Sequence, residues 1–128
     1  MAQSEVELVH RFYRCFTEGD LDGLLNTIHP EIEFVPVFGL LYKRQVYEGI
    51  EGMRAWYDEL DQRFDAFEAY VTGEHETPDK LIVWVRLIGH SDGNSLEAEM
   101  AVDCRFRDGK IAQFVGRALE DVDAELGR

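Results

Sequence analysis

Residues 92–109 read Asp92-Gly93-Asn94-Ser95-Leu96-Glu97-Ala98-Glu99-Met100-Ala101-Val102-Asp103-Cys104-Arg105-Phe106-Arg107-Asp108-Gly109, and this stretch decides the fold. Each end is an Asp-Gly pair, the dipeptide that suits a two-residue hairpin turn with positive φ at both positions. Between the turns, Leu96, Ala98, Met100, Val102, Cys104 and Phe106 take every second position. Glu97, Glu99, Asp103, Arg105 and Arg107 take the others, with Ala101 the one apolar member. A period of two over this length predicts a strand, about Asn94 to Arg107, with one buried face. It is the middle strand of a three-stranded meander that the remaining chain is expected to cover.

The totals limit the rest. A chain of 128 residues is expected to form one domain spanning 1–128. Its 45% hydrophobic and 12% aromatic content suits a packed core. A net charge of −13 argues against nucleic acid and anionic membrane surfaces, both of which need a positive field. Cys15 and Cys104 both fall on expected apolar faces and read as buried thiols of a reducing cytosol. No leader, long apolar run or lipidation signal is recognisable, so a soluble, cytoplasmic protein is expected.

From the N-terminus, Ser4 is placed to cap a helix to about Glu18, with Leu8, Phe12, Cys15 and Phe16 on its apolar stripe. Gly19 stops it, and Asp20 starts a second helix that His29-Pro30 ends. Residues 31–39 suggest a short strand or extended segment in which Ile32, Phe34 and Pro36 alternate with Glu33, Val35 and Val37. Residues 45–47 suit a brief edge strand. A helix from about Ile50 to Arg63 carries Met53, Trp56, Tyr57 and Leu60 at core spacing, and a strand through Phe67, Ala69 and Val71 precedes Thr77-Pro78. Residues 119–127 have Leu119, Val122 and Leu126 at helical spacing.

Two-residue turns set a register. Leu87 should face Ala98, Val85 face Met100 and Val83 face Val102. Across the second turn Val102 should face Val115, Cys104 face Gln113 and Phe106 face Ile111, unless a bulge, which Gly116 invites, intervenes. This count puts Gln113 on the aliphatic side. It puts Ile82, Trp84, Arg86, Glu99, Ala101, Asp103, Arg105 and Phe114 on the other. The order of elements implies an α+β domain: a curved antiparallel sheet with helices gathered on one face.

The run Glu18-Gly19-Asp20-Leu21-Asp22-Gly23-Leu24, then His29-Pro30, Tyr47-Glu48-Gly49-Ile50 and Arg107-Asp108-Gly109-Lys110-Ile111, resembles the nuclear-transport-factor-2-like superfamily over nearly the whole chain. Within it the chain looks most like the ketosteroid-isomerase and polyketide-cyclase (SnoaL-type) branch. The resemblance implies a cone-shaped, cystatin-like fold with about three helices on the concave face of the sheet. Its functions include isomerases, cyclases, hydrolases and non-catalytic binding domains. The isomerase tyrosine position is occupied by Phe12, the position of the general base before a proline by Val35, and that of the second donor by Val102. Proton transfer needs a base and oxyanion donors, so steroid-type isomerisation is not expected. The epoxide-hydrolase set is also unmatched, since Leu87 and Ile88 follow Arg86. Asp121 is the nearest acid to the cyclase position.

The expected ligand is a small apolar molecule held between the aliphatic sheet face and the helices, with Phe12, Phe16, Phe34, Val35, Phe38, Trp56, Val102, Cys104 and Gln113 as walls. The same side chains could also form an ordinary filled core. Tyr13, Asp103 and Gln113 are the candidates for any catalytic role, which would be cofactor-independent isomerase or cyclase chemistry; no metal site is expected among the isolated histidines. Lys43 and Arg44 lie in the loop beside the expected mouth. Trp84, Arg86, Glu99 and Phe114 combine aromatic area with paired charges, which suits a homodimer interface. Relatives often dimerise through this sheet face. A non-catalytic dimeric module with a self-filled cavity is the alternative reading.

Overall fold

The computed structural model describes residues 3–36 and 46–127. In chain order these form α1 (Gln3–Glu18), α2 (Leu21–Leu25), β1 (Ile28–Val35), β2 (Tyr47–Glu48), α3 (Gly49–Arg63), β3 (Ala66–Glu76), β4 (Leu81–Ser91), β5 (Asn94–Arg107), β6 (Lys110–Arg117) and α4 (Leu119–Leu126). The strands make one sheet in the order β2-β1-β6-β5-β4-β3. Its pairs are antiparallel except β1 with β6, which run parallel.

Both Asp-Gly turns behave as their chemistry requires. Asp92 and Gly93 have φ of 50° and 79°, and Asp108 and Gly109 have 55° and 74°, the positive values of a two-residue hairpin. The β4–β5 register is the expected one: Leu87 opposite Ala98, Val85 opposite Met100, Val83 opposite Val102.

The β5–β6 register departs from simple alternation after one pair. Phe106 faces Ile111, but Arg105 then faces Gln113, so Ala112 is an extra residue in β6. This is a β-bulge, and it exchanges the two faces for everything downstream. Cys104 faces Phe114 and Val102 faces Gly116, where unbroken alternation would give Gln113 and Val115. The break therefore falls at Ala112, four residues before the glycine that invites one.

Three boundaries also move. α1 begins at Gln3, so Ser4 lies inside its first turn. α2 ends at Leu25, because Thr27 turns back and both its backbone N–H and its hydroxyl donate to the Leu24 carbonyl. His29 and Pro30 are consequently strand residues. Pro30, which has no N–H to give, falls in the irregular stretch of β1–β6 pairing between Ile28 and Glu33. His29 caps no helix; its Nδ1 accepts from the Glu31 amide at 3.0 Å.

The inner face of the sheet carries Ala69, Val83, Val85, Val102, Cys104 and Phe114, covered by Val9, Phe12 and Phe16 of α1 and by Met53, Trp56 and Leu60 of α3. β3 is an edge strand of the sheet, and α1 is tied to it by Thr17, whose hydroxyl donates to the Ala69 carbonyl and accepts from the Ala69 amide, each at 3.0 Å. α4 lies on the opposite face, where Val122 packs with Ile82 and Ala101 in a second small core. Helices thus occupy both sides of the sheet.

Candidate functional site

Beneath α1, a hollow of about 30 Å³ is lined by Tyr13 and Phe16 of α1, Phe34 and Pro36 at the end of β1, Trp56 of α3, and Ala69, Val85, Leu87, Met100, Val102 and Gly116 from the sheet. That volume accommodates a water or two and no organic ligand of ordinary size without displacement of its walls. Tyr13 and Ala69 also border the outer groove between α1 and β3, so they form the partition between hollow and solvent.

Trp56 is the hub of this region. Its ring stacks on Phe16 at 5.4 Å and on Phe12 at 6.2 Å, and Phe34 meets it edge-on at 4.8 Å. Phe12 and Phe16 are one helical turn apart on α1, which is why both reach the same ring. Trp56 is only 4% exposed, and its Nε1 is a buried donor with no acceptor among the described residues. Leaving such a group unpaired costs about 1–3 kcal/mol.

The chemistry of the wall is correspondingly narrow. Besides the Trp56 indole and the Tyr13 phenol, the lining side chains among the described residues are hydrocarbon or thioether, and none is a carboxylate, imidazole or thiol. Residues 37–45 include no Asp, Glu, His or Cys in sequence.

The structure gathers Tyr13, Phe16, Phe34, Trp56 and Val102 around one hollow. Phe12 supports them from behind through Trp56 and Phe114, its ring 4.7 Å from the latter. Cys104 is fully buried beside Phe114 in the core, and burial drives its thiol well above its ordinary range. Val35 pairs with Val115 and does not line the hollow. Phe38, Lys43 and Arg44 lie outside the described residues.

Gln113 is displaced from the inner wall by the Ala112 bulge. It sits outside, accepting from Arg105 at 3.0 Å and donating to Glu33 at 3.1 Å. The same bulge carries Phe114 inward, 1% exposed, and removes it from the expected dimer face. Asp103 faces outward as its parity requires, yet it is only 5% exposed because α4 covers it. It is held by Lys80 at 3.0 Å and Arg117 at 3.3 Å, not by Arg105 and Arg86 as the outer-face pattern suggests. Arg105 reaches Gln113, and Arg86 binds Glu97 in place of the Glu99 directly opposite. Asp121 lies on the exposed side of α4.

Met100, Val85 and Leu87 join the lining from positions whose alternation already assigned them inward. Gly116 joins only because the bulge precedes it. The indole of Trp56 as an unpaired donor had no sequence signal, since pairing is decided by what surrounds the ring. Among the described residues no cluster of three or more His, Cys, Asp or Glu is placed to hold a metal ion. No described helix is long and apolar enough to cross a membrane.

Residues 9–114 match the SnoaL-like domain family. TerC, solved in co-crystals with polyporic acid, superposes with a TM-score of 0.81 at 19% identity, covering 97% of this chain and 98% of that one. A hypothetical protein of ketosteroid-isomerase-like fold from Catenulispora acidiphila DSM 44928, in complex with trimethylamine, gives a TM-score of 0.74 at 18% identity over 94% of this chain and 92% of its own. At such identities the likeness is one of fold. The tRNA uridine(34) hydroxylase of Sodalis glossinidius (strain morsitans) is 33% identical over 95 residues, which are 74% of this chain but 25% of that protein. The chain thus spans about a quarter of the length of this relative. With the family match running through the helices, the hollow and the meander alike, the chain belongs to the SnoaL-like domain family.

Proposed function

We propose that this domain binds a small, neutral, largely apolar molecule between the inner face of the sheet and helices α1 and α3, without acid–base catalysis of its own. The observation that carries the reading is the wall itself: its described residues are aromatic and aliphatic, with one indole and one phenol and, among them, no carboxylate, imidazole or thiol to act as a general base. Related folds solved with polyporic acid and with trimethylamine support small-molecule occupancy. A ligand enters by displacing part of the wall; Met100 is flexible enough to yield, and Tyr13 is the thin partition to solvent.

An isomerase or cyclase acting by proton transfer is the second reading. It is favoured by two side chains able to donate a hydrogen bond, Tyr13 and Trp56, bordering one hollow, and it requires the base to come from substrate or solvent. The RNA chemistry named for the Sodalis protein finds no support in a chain of net charge −13. On the outer face, Trp84, which packs at the edge of the small core under α4, and the exposed Arg86 and Glu99 remain as a surface for two-fold self-association, which we propose as the assembly.

Titration with tetralin, a neutral bicyclic hydrocarbon, tests the binding reading. Saturable shifts of the Met100 and Val102 methyl resonances are expected. Methyls that do not move up to the solubility limit would show a self-filled core and overturn it.

A further inference from the structure

We infer that Thr17 of α1 guards the edge of the sheet: its hydroxyl takes the place of a neighbouring strand's peptide groups and keeps β3 from pairing with β3 of a second copy. This role stands apart from the ligand site and from the outer-face dimer.

The hydrogen-bond geometry starts the argument. Thr17 Oγ1 donates to the Ala69 carbonyl and accepts from the Ala69 amide, each at 3.0 Å. Both backbone groups therefore point away from β4, out of the sheet. A hydroxyl can donate and accept at once, which is what an added strand would do there. Antiparallel pairing alternates, so the amides and carbonyls of Phe67 and Val71, two residues to either side, face the same way. Among the described residues, Thr17 supplies the side-chain hydrogen bonds found along this run of the edge.

The guard sits where the edge most needs one. Ala66-Phe67-Glu68-Ala69-Tyr70-Val71 joins aromatic and β-branched residues to a single charge, the composition of a segment that pairs with copies of itself. Tyr70 is 47% exposed within it. Beyond Val71 other protections take over. A register shift between Val71 and Gly73 disrupts the strand, and Glu74 and Glu76 place like charges on any self-pairing. Residues 66–71 pair with β4 in unbroken register and contain no Pro or Lys, so closure of their edge falls to α1.

Thr17→Val keeps the shape of the side chain and removes the hydroxyl. Thr27→Val, which forfeits a buried hydroxyl bond to the Leu24 carbonyl away from β3, controls for lost stability. In light scattering over a concentration series, Thr17→Val should grow beyond the mass of wild type, and Thr27→Val at the same fraction folded should not. In dilute Thr17→Val the Ala69 amide should exchange about fivefold faster than in wild type, as loss of one hydrogen bond predicts, and slow again as the larger species forms. Thr17→Ser should restore wild-type behaviour. Adding Val71→Pro, at a position whose N–H faces out of the sheet, should abolish the growth without restoring stability. Growth no greater than that of Thr27→Val, or growth in which the Ala69 amide stays unprotected, would overturn the inference and leave Thr17 as a tie between α1 and β3. If Thr17→Val does not fold, Thr17→Ala carries the same comparison.

Discussion

Truncating Phe114 to Ala, set beside truncating its neighbour Gln113, tests the bulge that shapes the inner wall. Phe114 is 1% exposed and packs against Phe12 at 4.7 Å, with Tyr13 and Phe34 each at 6.1 Å. Removing a fully buried phenyl ring forfeits its transfer free energy of about 1.5–3 kcal/mol. The unfilled space raises the total to about 3–5 kcal/mol. For a domain of this size that corresponds to a fall in Tm of roughly 10 °C or more. Gln113→Ala loses only the outer-face bonds to Arg105 and Glu33, about 1 kcal/mol. The assay is equilibrium unfolding in urea, with the denaturant slope checked for constancy. Without the Ala112 bulge the order reverses: Phe114 would be a surface residue and Gln113 an amide in an apolar wall, where Gln113→Val should stabilise. A loss below about 1 kcal/mol for Phe114→Ala, together with a gain for Gln113→Val, would refute the bulged register. If Phe114→Ala does not fold, Phe114→Leu should cost about 1.5 kcal/mol and rank the same way.

Docking of α4 should weaken in acid. Glu125 accepts from Arg117 at 3.0 Å and Lys80 at 3.3 Å, and Arg117 first, then Lys80, holds its carboxyl below the ordinary 4.5. A lowered folded value means the stabilisation is complete above the ordinary value and is lost as pH falls through the lower one. Amide protection of residues 119–126 should fall across that window in wild type and not in Glu125→Gln; an identical fall in both would refute the role. For the assembly, light scattering at micromolar concentration should give twice the 14.8 kDa chain mass, and a monomer mass would end the dimer proposal.

Local chemistry determined much of this protein before any folding was considered. The two Asp-Gly pairs placed both hairpin turns, and the strict alternation from Leu96 to Phe106 placed β5, its first partner and the sides on which Val102 and Asp103 lie. Gly19 and Asp20 marked the break between α1 and α2, where Asp20 accepts from the Gly23 amide at 2.9 Å. These are near-neighbour effects: turn dihedrals, caps and the two-residue period of a strand. The bulge at Ala112 is of another kind. No residue there demands it; it is chosen because it brings Phe114 under Phe12 and gives Gln113 two polar partners outside. Asp103 is a similar case, since parity alone set its side while α4, Lys80 and Arg117 decided that it would be buried and paired. The unpaired indole of Trp56 could emerge only from tertiary packing, because whether a donor finds an acceptor depends on groups brought together from α1, β1, α3 and the sheet.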